Sequence, residues 1–249
     1  MELKDDERLD DLQLNGLKLI QNKKSFCFGV DAVLLSDFVQ VKKDEIALDL
    51  GTGTGILPIL LSAKTKGDKF HALEIQKESA DLARRNVEIN KLSDRITITE
   101  GDIKNAESFY PLSSFDVVLT NPPYMKAGAG ILNDFTPKAI AKHEILVSLY
   151  DIISKSAKLL KPQGRFYMIH RPKRLTDIFR TLSEFRLEVK HIQFVHSSAD
   201  KEAALVMLEA IRGGNEGLKV LPPNVIDPPI KVFCENFNHP LRKGDTAPK

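Results

Sequence analysis

The sequence predicts an α/β fold: a doubly wound, mostly parallel sheet of seven strands, preceded by a short N-terminal extension. Three observations carry this. From Glu45 onward, apolar runs of strand length alternate with longer amphipathic stretches five times. The first run, Glu45-Ile-Ala-Leu-Asp-Leu50, has almost no polar alternation, as expected of a strand covered on both faces. The last two strand-like runs, Leu187 to His196 and Ala203 to Ile211, have no helix between them, so their short link requires an antiparallel pair.

The elements follow in order. Gly51 to Gly55 is a turn, and Ile56 to Lys64 a helix with Ile56, Ile59, Leu60 and Ala63 on one face. Lys69 to Glu74 is the second strand, and Ser79 to Asn90 a helix with Ala80, Leu82, Ala83 and Val87 on its apolar side. Arg95 to Glu100 alternates at period two with β-branched residues, which marks a third strand. Phe115 to Thr120 is the fourth. Met125 to Lys142 lacks a clear period and reads as a mobile loop. Glu144 to Leu160 is a helix closed by Lys161-Pro162-Gln163-Gly164. Arg165 to His170 is the fifth strand, and Leu175 to Glu184 a helix. Within the segment before the first strand, Val30, Val33, Leu34 and Phe38 form a helical face suited to pack on the sheet, with Asp31 favourable in its first turn. The expected organisation is an N-terminal extension over 1–44, a main domain over 45–213, and a Pro-rich tail over 214–249 expected to be partly disordered.

Composition narrows the class. The chain has 249 residues, 36 Lys and Arg against 34 Asp and Glu, a formal charge of +2, 28% charged and 42% hydrophobic residues. That is the balance of a soluble globular protein. No run approaches the roughly 18–20 apolar residues of a membrane span, and the acidic start (Glu2, Asp5, Asp6, Glu7) is the opposite of a secretory signal. Cys27 and Cys234 are too few for a disulfide framework or a cysteine zinc site. His71, His191 and His196 have no neighbours at metal-ligand spacing, so no metal is expected. A cytoplasmic setting is the expectation. With so small a net charge, any nucleic-acid partner must meet a local basic patch.

The chemistry concentrates in three places. Leu48-Asp49-Leu50-Gly51-Thr52-Gly53-Thr54-Gly55 follows a strand and opens a helix, so its glycines let backbone turn tightly and approach a ligand. Glu74 ends the next strand, 19 residues beyond Gly55, where a carboxylate can accept from both hydroxyls of a ribose. That leaves a dinucleotide or another adenosine cofactor. The alternating glycines depart from Gly-x-Gly-x-x-Gly, and Asp49 beside them would repel a pyrophosphate but attract a sulfonium and an α-amino group. Asn121-Pro122-Pro123-Tyr124 follows the fourth strand, at the edge where open α/β sheets bind ligands. An amine on an adenine, or a carboxamide nitrogen, has a delocalised lone pair. The Asn121 side-chain oxygen and the Pro122 carbonyl can each accept one of its N–H groups, which aims the lone pair and stabilises charge on nitrogen. Pro122 and Pro123 fix φ, and Tyr124 offers a ring for stacking.

The glycine turn resembles the first motif of class I S-adenosylmethionine-dependent methyltransferases, a Rossmann-like family. That resemblance implies S-adenosylmethionine as cofactor, held by Asp49, Gly51, Thr52, Gly53, Gly55, Glu74, Asp102 and Asn121, with Gly101-Asp102 near the adenine amine. With Asn-Pro-Pro-Tyr added, the chain is similar to amino methyltransferases acting on adenine N6, guanine N2 or glutamine amides. Arg8 to Leu12, Gly16 to Gln21, Phe26 to Leu35 and Ile169-His170-Arg171-Pro172 look like bacterial tRNA adenine-N6 methyltransferases that modify the purine 3′ of the valine anticodon. The group has a basic residue where Cys27 stands, and the tail beyond Ile226 does not match. The resemblance implies catalysis by Asn121, Pro122, Pro123 and Tyr124 on tRNA. Tyr124, Lys126, Arg171, Lys173 and Arg174 would hold the substrate, within a basic rim that adds Lys138 and Lys142. The same-chemistry alternatives are a release-factor glutamine methyltransferase and an rRNA guanine-N2 methyltransferase. A non-catalytic RNA-binding module is the different-class alternative. A monomer or weak dimer fits equally well.

Overall fold

A computed structural model describes residues 3–22, 29–123 and 147–226. The chain opens with β1 (Glu7–Asp11) and β2 (Lys18–Asn22), an antiparallel pair with Leu9 opposite Ile20. Then come α1 (Val30–Phe38), β3 (Ile46–Leu50), α2 (Ile56–Lys64), β4 (Lys69–Glu74), α3 (Lys77–Ile89) and β5 (Ile96–Glu100). A 3-10 turn (Ile103–Asn105) leads into the short α4 (Ala106–Phe109) and then β6 (Phe115–Thr120). After the next helix, α5 (Leu149–Leu159), come β7 (Leu160–His170), α6 (Leu175–Glu184), β8 (Leu187–His196) and β9 (Ala203–Arg212). Two short strands follow, β10 (Lys219–Val220) and β11 (Asn224–Val225).

The main sheet runs β10-β8-β9-β7-β6-β3-β4-β5, with β11 also on β8. β9 is antiparallel to β7 and β8, and the other pairings are parallel. All seven expected strands are present. The sheet nevertheless has nine, because residues 219–225, expected in the tail, add β10 and β11 to the outer edge of β8. Pro222 and Pro223 sit between those two pieces, where missing N–H groups cost nothing. β7 also begins earlier than expected. Leu160 pairs with Phe115 and Arg165 with Val117, so five steps along β7 match two along β6. The surplus is a bulge around Gln163, whose φ is 64°, rather than a separate turn. The described part of α5 begins at Leu149, where Ser148 and Asp151 form a reciprocal capping box.

Two apolar layers cover the sheet. Leu35, Ile59, Leu60 and Val87 from α1, α2 and α3 pack with Ala47, Phe70, Leu119 and Tyr167. On the opposite face Ile153, Ala157, Ile178 and Leu182 from α5 and α6 pack with Leu48, Leu50, Val118, Phe166 and Met168. This double cover explains the near-continuous apolar reading of β3 and β6. The β1–β2 pair lies outside the sheet and docks on α3. Arg85 donates to both Glu7 carboxylate oxygens (2.5 and 2.7 Å). Asn86 on α3 and Asn90, which caps its C-terminal end one turn on, exchange amide hydrogen bonds with the backbone of Ile20 and Lys18.

Candidate active site

The carboxyl edge of the sheet gathers the expected residues through register alone. Parallel pairing sets Asp49 beside Ala72 and Leu119, and Glu74 beside Glu100. Chain therefore leaves β5 at Gly101-Asp102, β4 at Glu74, β3 at Gly51 and β6 at Asn121 along one edge. β7 pairs Met168 with Thr120, so His170-Arg171 leaves at the same edge.

The turn after β3 takes left-handed backbone at Gly51 (φ 77°), Gly53 (59°) and Gly55 (81°). The N–H groups of Gly51 and Thr52 both donate to the Leu73 carbonyl (2.9 and 3.1 Å). Gly53 N–H donates to Glu74 Oε2 (2.8 Å), and Gln76 N–H to Oε1 (2.9 Å). Glu74 is thus a strut of the turn as well as a candidate ribose ligand. Each carboxylate oxygen keeps a second lone pair for a hydroxyl. A Cβ added at Gly53 would meet nothing within 4 Å, whereas one at Gly55 would lie 3.2 Å from Ala83 Cβ. Gly55 is there for packing on α3, and Gly53 faces open space.

Asp49 is 1% exposed, and neither carboxylate oxygen has a hydrogen-bond partner among the described residues. Burial pushes its pKa up to about 7. The nearby Thr52 hydroxyl pulls the other way, and the Glu74 carboxylate adds to the rise. Thr52 Oγ1 is itself buried without a hydrogen bond. A buried carboxyl without donors is costly, so this corner suits added donors or positive charge.

Asp102 Oδ1 accepts from Lys104 N–H (2.9 Å) and caps the 3-10 turn, which fixes the carboxylate at the end of β5. Gly101 is needed because the Phe109 ring lies where a Cβ would project. At β6 the buried Thr120 donates its hydroxyl to the Leu50 carbonyl (2.9 Å) and ties the strand end to β3, just before the glycine turn. Asn121 follows, half-buried, with Pro122 buried and Pro123 exposed. Sequence reasoning passed over Thr120. Its signal was a polar residue closing the otherwise apolar run Val117-Val118-Leu119.

Farther along the edge, Arg171 and Lys173 are exposed. Arg171 donates to the Ala204 carbonyl (3.3 Å), and Arg174 pairs with Asp177 (3.1 Å). His170 is buried, and its Nδ1 accepts from Arg171 N–H (2.8 Å). Burial and then the Arg174 charge hold its pKa down to about 4, so the ring is neutral with its proton on Nε2. Tyr124, Lys126, Lys138 and Lys142 lie outside the described residues. Among the described residues no cluster of three His, Cys, Asp or Glu could hold a metal ion. No helix among them is long and apolar enough to cross a membrane.

Residues 28–192 match the family described as methyltransferase small domain. The chain belongs to this methyltransferase family. A tRNA1(Val) (adenine(37)-N6)-methyltransferase of Porphyromonas gingivalis is 31% identical over 187 residues, covering 73% of this chain and 72% of that one. An Aeromonas salmonicida protein of the same name is 28% identical over 188 residues, covering 75% and 77%. In fold, the methyltransferase is similar to a crystal structure of a predicted O-methyltransferase from Agrobacterium tumefaciens. The TM-score is 0.65 at 23% identity, over 84% of this chain and 95% of that one.

The methyl donor expected of this methyltransferase is S-adenosylmethionine. The residues present fit it. The oxygens of Asp49 and Thr52, without hydrogen bonds among the described residues, suit an ammonium or hydroxyl donor. The space over Gly53 admits a ligand against bare backbone, and the carboxylates of Glu74 and Asp102 stand beyond it along the edge.

Proposed function

We propose that this chain methylates the exocyclic N6 amine of an adenine in the anticodon loop of a tRNA, in the cytoplasm. Its likeness to the Porphyromonas gingivalis and Aeromonas salmonicida enzymes supports the substrate. The observation that carries the chemistry is Asn121-Pro122 emerging from β6 directly beside the glycine turn, with Thr120 bonded to Leu50.

Asp49, Thr52, the backbone at Gly51, Gly53 and Gly55, Glu74 and Asp102 would hold the cofactor. When bound, it supplies an electrophilic methyl group on a sulfonium. The Asn121 side-chain oxygen and the Pro122 carbonyl accept the two N–H groups of the target amine. That turns the nitrogen lone pair out of conjugation with the ring and toward the methyl carbon. The growing positive charge on nitrogen then sits against two oxygens already oriented for it. Pro122 and Pro123 keep those acceptors in place at little entropic cost. The product amine loses its surplus proton to water, so no general base is assigned. Tyr124 is the proposed stacking partner for the extruded base, and Arg171 and Lys173 contact tRNA phosphates.

The test is transfer of labelled methyl to undermodified tRNA, with the product nucleoside identified by mass spectrometry. Asn121→Ala should lower turnover at least 100-fold and leave cofactor affinity within about threefold. Equal losses in both would remove Asn121 from the role given to it. Binding of tRNA should weaken steeply as salt rises.

A further inference from the structure

The β1–β2 hairpin stands outside the main sheet, yet one side chain joins it to the glycine turn. Asn86 on α3 is 0% exposed. Its Oδ1 accepts the Ile20 N–H of β2 at 2.6 Å. Its Nδ2 donates one hydrogen to the Ile20 carbonyl (3.1 Å) and the other to the Thr54 carbonyl (3.0 Å). Both amide hydrogens are spent, and the second holds the peptide between Thr54 and Gly55. Gly55 N–H in turn donates to the Thr52 carbonyl (3.1 Å), and Ala83, also on α3, abuts Gly55. The far side of the turn is fixed by Leu73 and Glu74. Asn86 is thus the side-chain anchor on the near side.

We propose that Asn86, buried between the hairpin and the turn, is a positioning residue for the cofactor. The inference rests on the reading that the Gly51–Gly55 turn holds S-adenosylmethionine. Asn90 separates positioning from mere docking. It makes the same amide pair with the hairpin, at Lys18 N–H (2.8 Å) and carbonyl (2.7 Å), but its remaining hydrogen goes to the Asn86 carbonyl (2.7 Å) and not to the turn. Losing Asn90 loosens the hairpin alone. Losing Asn86 loosens hairpin and turn together, and the turn then pays ordering entropy when ligand binds.

The experiment measures S-adenosylhomocysteine affinity by calorimetry and kcat and KM for S-adenosylmethionine, on the full chain. Asn86→Ala should weaken S-adenosylhomocysteine about tenfold and raise KM more than it lowers kcat. Asn90→Ala should stay within about threefold while lowering Tm comparably. Should Asn86→Ala not fold, Asn86→Ser keeps one donor and should fall between parent and the tenfold loss. Asp49→Asn tests the underlying reading. If Asp49→Asn weakens binding and the folded Asn86 variant does not, or if Asn86 and Asn90 variants lose affinity equally, the positioning role is overturned. If Asp49→Asn also binds as the parent does, the cofactor assignment of the turn falls and the inference with it.

Discussion

Replacing Asp49 by Asn should stabilise the ligand-free protein at pH 8 and not at pH 5. The Asp49 carboxyl ionises at 3.8 when free and near 7 in the folded chain, chiefly because it is buried. Between those values the folded state holds a proton that the unfolded state has lost. Stability therefore falls as pH rises through this window and levels off above about 7. At roughly 1.4 kcal/mol for each pKa unit, the cost of the ionised group is on the order of 4 kcal/mol. Asn removes that cost but leaves its own amide short of partners, at about 1–3 kcal/mol. The net gain at pH 8 is about 1–3 kcal/mol, a Tm rise of about 3–10 °C for a chain of this length. At pH 5 the parent is already protonated, and the variant should be equal or less stable. Thermal and urea unfolding of both proteins at the two pH values is the assay. Buried histidines tilt the parent's own profile the other way, so the quantity to read is the difference between the two proteins. The same difference at both pH values would refute the reasoning. If Asp49 holds the cofactor as proposed, S-adenosylmethionine should bind more tightly at pH 8 than at pH 6, as calorimetry at the two pH values would read.

Gly53→Ala should cost only the strain of left-handed backbone, about 1–2 kcal/mol, yet abolish measurable cofactor binding. Gly55→Ala adds a clash with Ala83 and should cost about 2–4 kcal/mol, so urea titration and calorimetry should rank the two variants oppositely. His170 is neutral when folded, with a pKa near 4 against 6.5 when free. Its contribution is present above about 6.5 and lost as pH falls toward 4, about 3 kcal/mol in all, so His170→Gln should flatten that part of the stability profile. Arg85→Ala strands the buried Glu7 carboxylate and should cost about 2–4 kcal/mol in urea unfolding. A loss below about 0.5 kcal/mol would mean that the hairpin does not depend on this pair.

Central strands were legible because burial on both faces leaves no room for polar alternation, as in Ile46 to Leu50 and Val117 to Leu119, and the edge strand Ile96 to Glu100 because it alternates. The placement of the candidate site was legible for a related reason: glycines at alternate positions and a Pro-Pro pair after a strand are backbone requirements written directly into sequence. The hairpin was not. It lies outside the main sheet, and what orders β2 is a helix, through Asn86 and Asn90. Helix periodicity identifies a face but not a partner. The bulge in β7 was hidden by Pro162 and Gly164, which locally read as a stop, while the pairing of Leu160 with Phe115 is a tertiary decision. Glu74 carried its expected position at the end of β4, but its bond to Gly53 N–H follows only from three-dimensional proximity.

The outer edge of β8 bears on strand addition between copies of the chain. Ten residues of open backbone, Leu187–His196, would template the addition of strands from other copies. Instead, Val220 pairs with Ile192 and Val225 with His196. Between them Pro222 and Pro223 have no N–H to offer, and Gln193 donates to the Pro222 carbonyl (3.0 Å). The short pieces cover His191, Ile192, Val195 and His196 of that border. A chain ending at Gly213 would retain Asp49, Glu74 and Asn121, and is expected to form thioflavin-positive aggregates where the full chain remains clear.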